Sequence, residues 1–325
     1  FTYVSLGGFV SAHQALTDLA DKVPEKLAAM GHRGWTAMPV FLSSWWWNLV
    51  STLVLGVGIG VLAQPQLVVR FMTVKSKREL NRAVFAGGIF IFMMTGVAFV
   101  VGSLTNVFFF LTEGVISIAA AGGNSDTIIP LFISKALPGW FGVLFLLTLL
   151  SAAMSTLSSQ FHTMGTAISR DIFQQLIPGK GKDNTLTIAR LGVLVGIVTI
   201  VILGKTLPES IIAPGTAIFF GLCASSFLPM YSLGLYWKKV TPAGAKSGLV
   251  VGFAGSVLYL LFVHAKESAG LGLCQALFGK PNLIPSLAVV DPIVIVFPIS
   301  FIVTVLVSLF TRQMDQKELE KIFQQ

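Results

Sequence analysis

Residues 149–173, LLSAAMSTLSSQFHTMGTAISRDIF, combine an apolar segment of helix length with eight hydroxyl side chains, and they carry no charge before Arg170. Successive residues of a helix lie about 100° apart, which places most of the polar ones within about 60° of Ser155. Hard cations prefer oxygen ligands, and a stripe without a carboxylate favours a monovalent cation over a proton relay. The segment therefore predicts a sodium-binding helix face that a second helix completes. The stripe consists of Ser151, Ser155, Ser158, Ser159, His162, Thr166 and Ser169.

His162 is the ionisable group in the middle of this stripe. A histidine in a helix bundle is more often neutral and hydrogen-bonded to its neighbours. Because histidine titrates near neutral pH, a proton or gating role is the alternative. Both interpretations stay open from the sequence.

The stripe belongs to a chain with the composition of a membrane protein. Its 325 residues are 54% hydrophobic and 11% charged, against about 25% charged in a typical soluble domain. A membrane-crossing helix needs about 20 apolar residues, so long gaps between charges mark the spans. Seven such gaps predict an all-α, polytopic membrane protein with about seven spans. They cover residues 33–70, 82–113, 135–170, 190–205 (with the helix starting near Thr185), 209–238, 246–266 and 291–312.

The basic residues predict how the chain crosses the membrane. If successive loops alternate sides, 15 of the 22 Lys and Arg residues share the side of the C-terminus. Basic loops stay in the cytoplasm, so we expect a multi-pass protein of the cell membrane, with Phe1 outside and the C-terminus cytoplasmic. This loop asymmetry also accounts for the net charge of +8 without a nucleic-acid partner.

The first predicted span contains Gly56, Gly58 and Gly60, and Pro65 follows them. An uninterrupted helix is unfavourable here, because glycine and proline both weaken helices. Two explanations stay open. The glycines allow close helix packing, or the helix is broken and its free backbone groups face a solute at mid-membrane.

Three stretches resemble motifs of the sodium/solute symporter family, which includes sodium-coupled proline, pantothenate and sugar transporters. AAMSTLSSQFHTMGTAISRDIF is similar to the family's eighth core helix, and LAQPQLVVRF is similar to the start of its second repeat. LPMYSLGLYWKKVTPAGAKSGLVVGF resembles the family's G-L-(F/Y)-W-K-(R/K)-x-T-x-x-G-A-x-x-G stretch. The three occur in the family's order over about residues 45–255.

The resemblance implies a leucine-transporter-like, inverted-repeat fold built from two five-helix repeats. Residues 45–237 would supply the five spans of the second repeat, and residues 238–311 two additional transmembrane helices. Residues 1–44 would form an extracellular loop and the end of a preceding helix, and residues 312–325 a cytoplasmic tail. Because the chain begins with Phe1 rather than Met, we expect the first repeat to be missing from it.

The resemblance also implies sodium ligands. The family's main sodium site uses a backbone carbonyl and two hydroxyls of the eighth core helix, and the matching positions are Ala152, Ser155 and Thr156. Some members bind a second sodium through further serines, which match Ser158 and Ser159. Its acidic partner, on the fifth helix, would lie upstream of this chain.

The solute pocket implied by the resemblance lies in the first span. Proline-type members carry W-G-x-G-Y-F-G-Q-P there, whereas this chain has Val61 and Leu62 in place of the Tyr and Phe. Losing two rings predicts a wider pocket. Its expected residues are Val57, Gly60, Val61, Gln64 and Pro65.

These features predict sodium-coupled symport of a small polar organic solute (an amino acid, carboxylate or vitamin-like compound) by alternating access. The expected partners are the solute, Na+, the lipid bilayer and the missing N-terminal repeat, with no cofactor and no metal other than sodium. A transporter-like sensor or receptor is the alternative, as is a truncated chain that is inactive alone. An enzyme is not expected, because the sequence lacks a Ser-His-Asp set, a metal-spaced cluster and a nucleotide loop.

Overall fold

Seven helices long and apolar enough to cross a membrane occur in the computed structural model, which describes residues 2–176, 185–206 and 212–313. They are α1 (Ser44–Leu62), α2 (Lys77–Glu113), α3 (Gly139–Phe173), α4 (Thr185–Thr206), α5 (Ile212–Tyr236), α6 (Pro242–Phe262) and α7 (Pro292–Phe310). Each coincides with one predicted span, which confirms an all-α, polytopic membrane protein. The expected tail falls, from residue 314 onward, outside the described residues.

The chain divides into two compact units, one made of residues 1–107 and 212–325 and the other of residues 108–211. In the first unit, α5 packs against α1, α6 and α7, and α6 also packs against α7. In the second unit, α3 packs against α4. The contact between α1 and α5 therefore joins elements that lie far apart in the sequence, whereas α5, α6 and α7 are neighbours along the chain.

Small residues let α6 and α7 approach each other closely. Gly244, Gly248 and Gly252 recur at four-residue intervals and are buried along one face of α6. A Cβ at Gly244 would overlap the hydroxyl of Ser308, and one at Gly248 would overlap that of Thr304. In lipid, where burial of apolar surface does not drive helices together, such close backbone contact is a main source of association.

Pro229 creates a polar contact between α5 and α7. A proline inside a helix has no N–H to offer the carbonyl four residues earlier, here that of Ser225. The freed carbonyl accepts a hydrogen bond from Ser300 Oγ of α7 at 2.7 Å. A Cβ at Gly252 of α6 would overlap the same carbonyl. The three helices thus meet at one backbone group that the sequence of α5 exposes.

The second unit relies on the same kind of packing. A Cβ at Gly165 of α3 would lie 2.7 Å from the Ala189 carbonyl oxygen of α4, and a Cβ at Gly196 would overlap Met164. The end of α2 is held by the short helix Ile128–Ala136, whose Lys135 Nζ lies 2.6 Å from Glu113 Oε1. This ion pair is partly exposed, so it contributes little stability.

Two of the spans begin with the same capping arrangement. Thr241 Oγ1 accepts from the Gly244 N–H at 3.1 Å before α6, and Asp291 Oδ1 accepts from the Ile293 N–H at 3.0 Å before α7. In each case proline is the first helical residue, where its missing N–H costs nothing. Asp291 therefore has a structural reason to stand at the start of α7.

Candidate functional site

The first span is a discontinuous helix. Wide π-helical turns run over Asn48–Val57, α-helical geometry returns over Gly58–Leu62, and a new helix starts at Pro65–Met72. Pro65 cannot donate to the carbonyl four residues earlier, which explains why the interruption falls just before it. Of the two explanations left open by the sequence, the interrupted helix is therefore observed, with the interruption at the Pro65 end of the stretch.

The expected pocket residues surround this break. Gly60 and Gln64 are buried, whereas Val57, Val61 and Pro65 are partly exposed. A Cβ at Gly60 would overlap the backbone carbonyl of Phe220, so Gly60 also allows α1 to approach α5. Close packing and a broken helix thus occur in the same span. The assignment of these five residues to a solute pocket stays a prediction.

The first part of the hydroxyl stripe, from Ser151 to Ser159, is open on α3. Ala152, Ser155, Thr156, Ser158 and Ser159 are all exposed. Towards the end of α3, Gly165 packs against α4 and Ser169 is buried. The oxygen atoms of Ser155, Thr156, Ser158 and Ser159 are therefore the ones accessible to an ion or to another helix.

Hydrogen bonds within α3 orient the stripe hydroxyls. Ser155 Oγ donates to the Ala152 carbonyl at 3.4 Å, and Ser159 Oγ donates to the Ser155 carbonyl at 3.0 Å. Thr163 Oγ1 donates in the same way to the Ser159 carbonyl at 2.9 Å. A hydroxyl that donates its proton to its own helix keeps two lone pairs for another partner. The arrangement suits a cation, which needs oxygen lone pairs and offers no acceptor.

Wide turns also interrupt α3 at the end of the stripe. π-Helical geometry runs over Ala167–Phe173 and includes the buried Ser169, whose Oγ donates to the Thr166 carbonyl at 3.2 Å. Such bulges are frequent at functional sites because they shift the backbone groups out of register. His162 is exposed one turn before this segment, and neither of its two interpretations is tested.

The predicted ion residues and the predicted solute residues belong to different units. Ala152, Ser155, Thr156, Ser158 and Ser159 lie within residues 108–211. The residues around the break in α1 lie in the other unit. Within each unit, the structure brings its own set together because the members are neighbours on one helix.

A cavity of about 210 Å³ opens beside the first turns of α1. Residues far apart in sequence form it, so it could not be recognised from local patterns. Its wall includes the adjacent pair His264 and Glu267, whose side chains contact each other. The lining residues are Met30, Ser44, Trp45, Asn48, Thr52, His264, Ala265, Lys266, Glu267, Ala288 and Val289.

His32 contacts Trp45, one of the residues that line this cavity. Its ring lies 5.2 Å from that of Trp45 and 5.6 Å from that of Trp35, measured between centroids. Its Nδ1 accepts a hydrogen bond from the Gly34 N–H at 3.1 Å. Partial burial among these rings lowers the pKa of His32, because the charged imidazolium loses hydration there. The neutral ring is therefore favoured as a packing element.

Comparison with known proteins identifies the family. Residues 1–252 match the Sodium:solute symporter family. The chain belongs to this family. The resemblance carried by the three motifs is thereby confirmed, and with it the expectation of a transporter-family protein rather than an enzyme.

Individual relatives carry a more specific name. A protein named Sodium/proline symporter from Staphylococcus aureus is 29% identical over 270 residues, which cover 79% of this chain and 47% of that protein. Proteins of the same name from strains JH9 and Newman show the same identity, with 46% of their length covered. The chain thus spans about half the length of the curated relatives it matches.

Proposed function

We propose that this chain takes part in sodium-coupled symport of a small polar organic solute by alternating access. Family membership supports this function, and the observation that carries it is the exposed part of the hydroxyl stripe of α3, from Ser151 to Ser159. An isolated group of hydroxyls facing lipid would be unfavourable, because hydrocarbon offers no hydrogen-bond partner. A sodium ion and a covering helix would supply the missing interactions.

The proposed main sodium ligands are the Ala152 carbonyl and the hydroxyls of Ser155 and Thr156. Sodium is a hard cation that binds oxygen, and the back-donated hydroxyl of Ser155 retains its lone pairs. Ser158 and Ser159 are proposed for a second sodium ion. Each set needs ligands from elsewhere, which we propose come from an N-terminal repeat.

The proposed solute residues surround the break in α1. Interrupted membrane helices expose backbone groups that can bind polar parts of a substrate. Gln64 adds a buried amide beside the break. We propose a solute of the amino-acid, carboxylate or vitamin-like class, taken up at Val57, Gly60, Val61, Gln64 and Pro65.

The proposed organisation follows the family. Residues 45–237 form the second inverted repeat of a leucine-transporter-like fold, and residues 238–311 form two additional helices. The N-terminus of the chain lies outside and its C-terminus in the cytoplasm, since most basic loops share the C-terminal side.

The sodium site can be tested by ion-specific stabilisation of the purified protein as its gene encodes it. A ligand that binds only the folded state stabilises it by about 2.7 kcal/mol at 100 times its Kd. We expect a melting temperature that is higher in NaCl than in matched KCl or choline chloride. Ser155→Ala and Thr156→Ala should each remove the sodium-specific increase.

Thr199→Ala is the matched control. Thr199 is exposed on α4 and its hydroxyl also donates to its own helix, at 2.8 Å to the Val195 carbonyl. The sodium effect should survive this substitution. Sodium-specific stabilisation that persists in both Ser155→Ala and Thr156→Ala would contradict the proposed ligands. Adding candidate solutes, proline among them, then identifies the solute as the compound that stabilises the sodium-bound protein further.

A further inference from the structure

Asp291 is a buried carboxyl group with one unused oxygen. It precedes α7 and is 1% exposed. Its Oδ1 accepts the capping hydrogen bond from the Ile293 N–H. Its Oδ2 is buried and has no hydrogen-bond partner among the described residues. A buried polar atom in this state is unfavourable unless something binds it.

The carboxyl group fills a junction of three helices. The backbone N–H of Asp291 donates to Ser51 Oγ of α1 at 3.1 Å. A Cβ at Gly221 of α5 would lie 2.8 Å from Asp291 Oδ1. Ser51 and Gly221 therefore hold the start of α7 against α1 and α5, and any change of charge at Asp291 occurs inside this contact.

The surroundings do not neutralise a negative charge at Asp291. From α6, Tyr259 approaches the carboxyl group, but its hydroxyl donates to the Leu287 carbonyl at 3.0 Å. After α6, His264 and Glu267 lie close enough to influence Asp291 electrostatically, and they contact each other. In the part of the chain that the structure describes, Asp291 forms no ion pair. A buried carboxylate without a cationic partner tends to take up a proton.

A metal cation is a weaker explanation for the unused oxygen. A sodium ion would need several converging oxygen ligands. The hydroxyl beside Asp291, that of Ser51, already accepts from the Asp291 N–H and donates to the Trp47 carbonyl at 2.5 Å. A proton needs only the carboxyl group itself.

The electrostatic balance at Asp291 places its titration near neutral pH. Burial, the largest cause, raises the pKa of Asp291 to about 6, and the nearby Glu267 raises it too. The Ile293 N–H and His264 oppose this increase. The carboxyl group can therefore change its protonation state within the range of environmental pH.

The cavity offers a route for the proton. Thr52, which follows Ser51 in α1, forms part of its wall together with His264 and Glu267. His264 and Glu267 are also the residues that act electrostatically on Asp291. Water in this cavity would bring protons to the edge of the junction.

We propose that Asp291 is a proton-binding site at the junction of α1, α5 and α7, supplied through this cavity. Protonation removes a buried charge and allows α7 to pack firmly against α1, and deprotonation weakens that contact. Because α1 also carries the proposed solute residues, the proton acts on a helix involved in transport. The site shares no residue with the proposed sodium ligands on α3, so an experiment can contradict one proposal and leave the other standing.

Infrared difference spectroscopy of the purified full chain tests this site directly. The C=O stretch of a protonated carboxyl group should appear as the pH falls from about 8 to about 5.5, above the range in which ordinary Asp and Glu side chains take up most of their protons. Its midpoint should lie at about 6. Asp291→Asn, which resembles the protonated group in shape, should abolish this band, and Glu79→Gln, at an exposed carboxyl group of α2, should retain it.

Three results would overturn the proposal. The first is a band that persists in Asp291→Asn. The second is a wild-type midpoint near the ordinary pKa of Asp, about 4. The third is loss of the band on adding NaCl, but not KCl, at constant pH, which would make Asp291 a cation ligand. If Asp291→Asn does not fold, Asp291→Ser keeps a helix-capping oxygen and replaces it in the same experiment.

Discussion

The Ser155 hydroxyl bonds to its own helix and is also available to a partner outside that helix. Its hydroxyl proton goes to the Ala152 carbonyl, while its lone pairs stay on the exposed face of α3. Alanine at this position would preserve the helix and remove one ion ligand. This separation of roles is why loss of sodium-specific stabilisation is the informative result for Ser155→Ala, rather than loss of stability as such.

Asp291 predicts how the stability of the protein depends on pH. Its pKa in the folded state is raised to about 6, against about 3.9 in an unfolded chain. Between these values the folded state binds more protons at this site, so the contribution of Asp291 to stability is fully present below about pH 4 and is lost as the pH rises through about 6. The difference between the two pKa values corresponds to roughly 3 kcal/mol.

Asp291→Asn should remove this dependence. The difference in melting temperature between the variant and the wild type should grow from about pH 4 to about pH 6 and then level off. Lys22→Gln, a change at an exposed residue, is a control for general charge effects. Parallel pH profiles of wild type and Asp291→Asn would contradict the raised pKa.

The roles of single residues were only partly visible in the sequence. The stripe around Ser155 was predictable, because helical periodicity depends on near neighbours. Asp291 marked only the edge of a span, although an Asp-Pro pair is a helix-start signal. Its burial depends on Ser51 and Gly221, which lie far away in the chain, and no local pattern contains that information.

At the scale of elements, close backbone contact helps to fix the position of α6. Gly252 touches the carbonyl that Pro229 frees in α5, so a methyl group there has no space. Adding a carbon to such a packed site typically costs about 1–3 kcal/mol. We expect Gly252→Ala to lower the melting temperature of the purified protein clearly.

Gly87→Ala is the control for this prediction. Gly87 lies in α2, and a Cβ there would meet no atom within 4 Å. Because alanine favours helices over glycine by about 1 kcal/mol, this variant should be as stable as the wild type or more so. Equal effects of the two substitutions would show that α6 does not pack against α5 closely enough to exclude a methyl group at position 252.

The helices themselves were predictable, whereas their interruptions and partners were less so. Gaps between charges marked all seven spans because hydrocarbon excludes charge over a fixed length. The glycines and Pro65 indicated that α1 is weakened, but not where it breaks; the interruption falls before Pro65, where the missing N–H ends the helix. Gly60 contacts Phe220 instead, a pairing that only the folded chain reveals.

At the scale of the whole molecule, the proposed ion and solute residues lie in different units. In the proposed symporter, sodium and solute act on one equilibrium between conformations, so each must change the affinity for the other by the same factor. The protonation of Asp291 would act on the same equilibrium through α1. In this proposal, coupling requires both units.

The proposed orientation predicts which loops are accessible from outside the cell. Ser76, before α2, lies in a loop rich in Lys and Arg, whereas Ser125, between α2 and α3, lies in a loop with few. Both are exposed, and the native Cys223 and Cys274 are buried and can be replaced by alanine as background. We expect a membrane-impermeant maleimide to label Ser125→Cys in intact cells and Ser76→Cys only after the membrane is opened. The two introduced cysteines, at positions 76 and 125, lie in the loops before and after α2, so each is the control for the other. The reverse pattern would invert the proposed orientation, and labelling of both in intact cells would show that α2 does not cross the membrane.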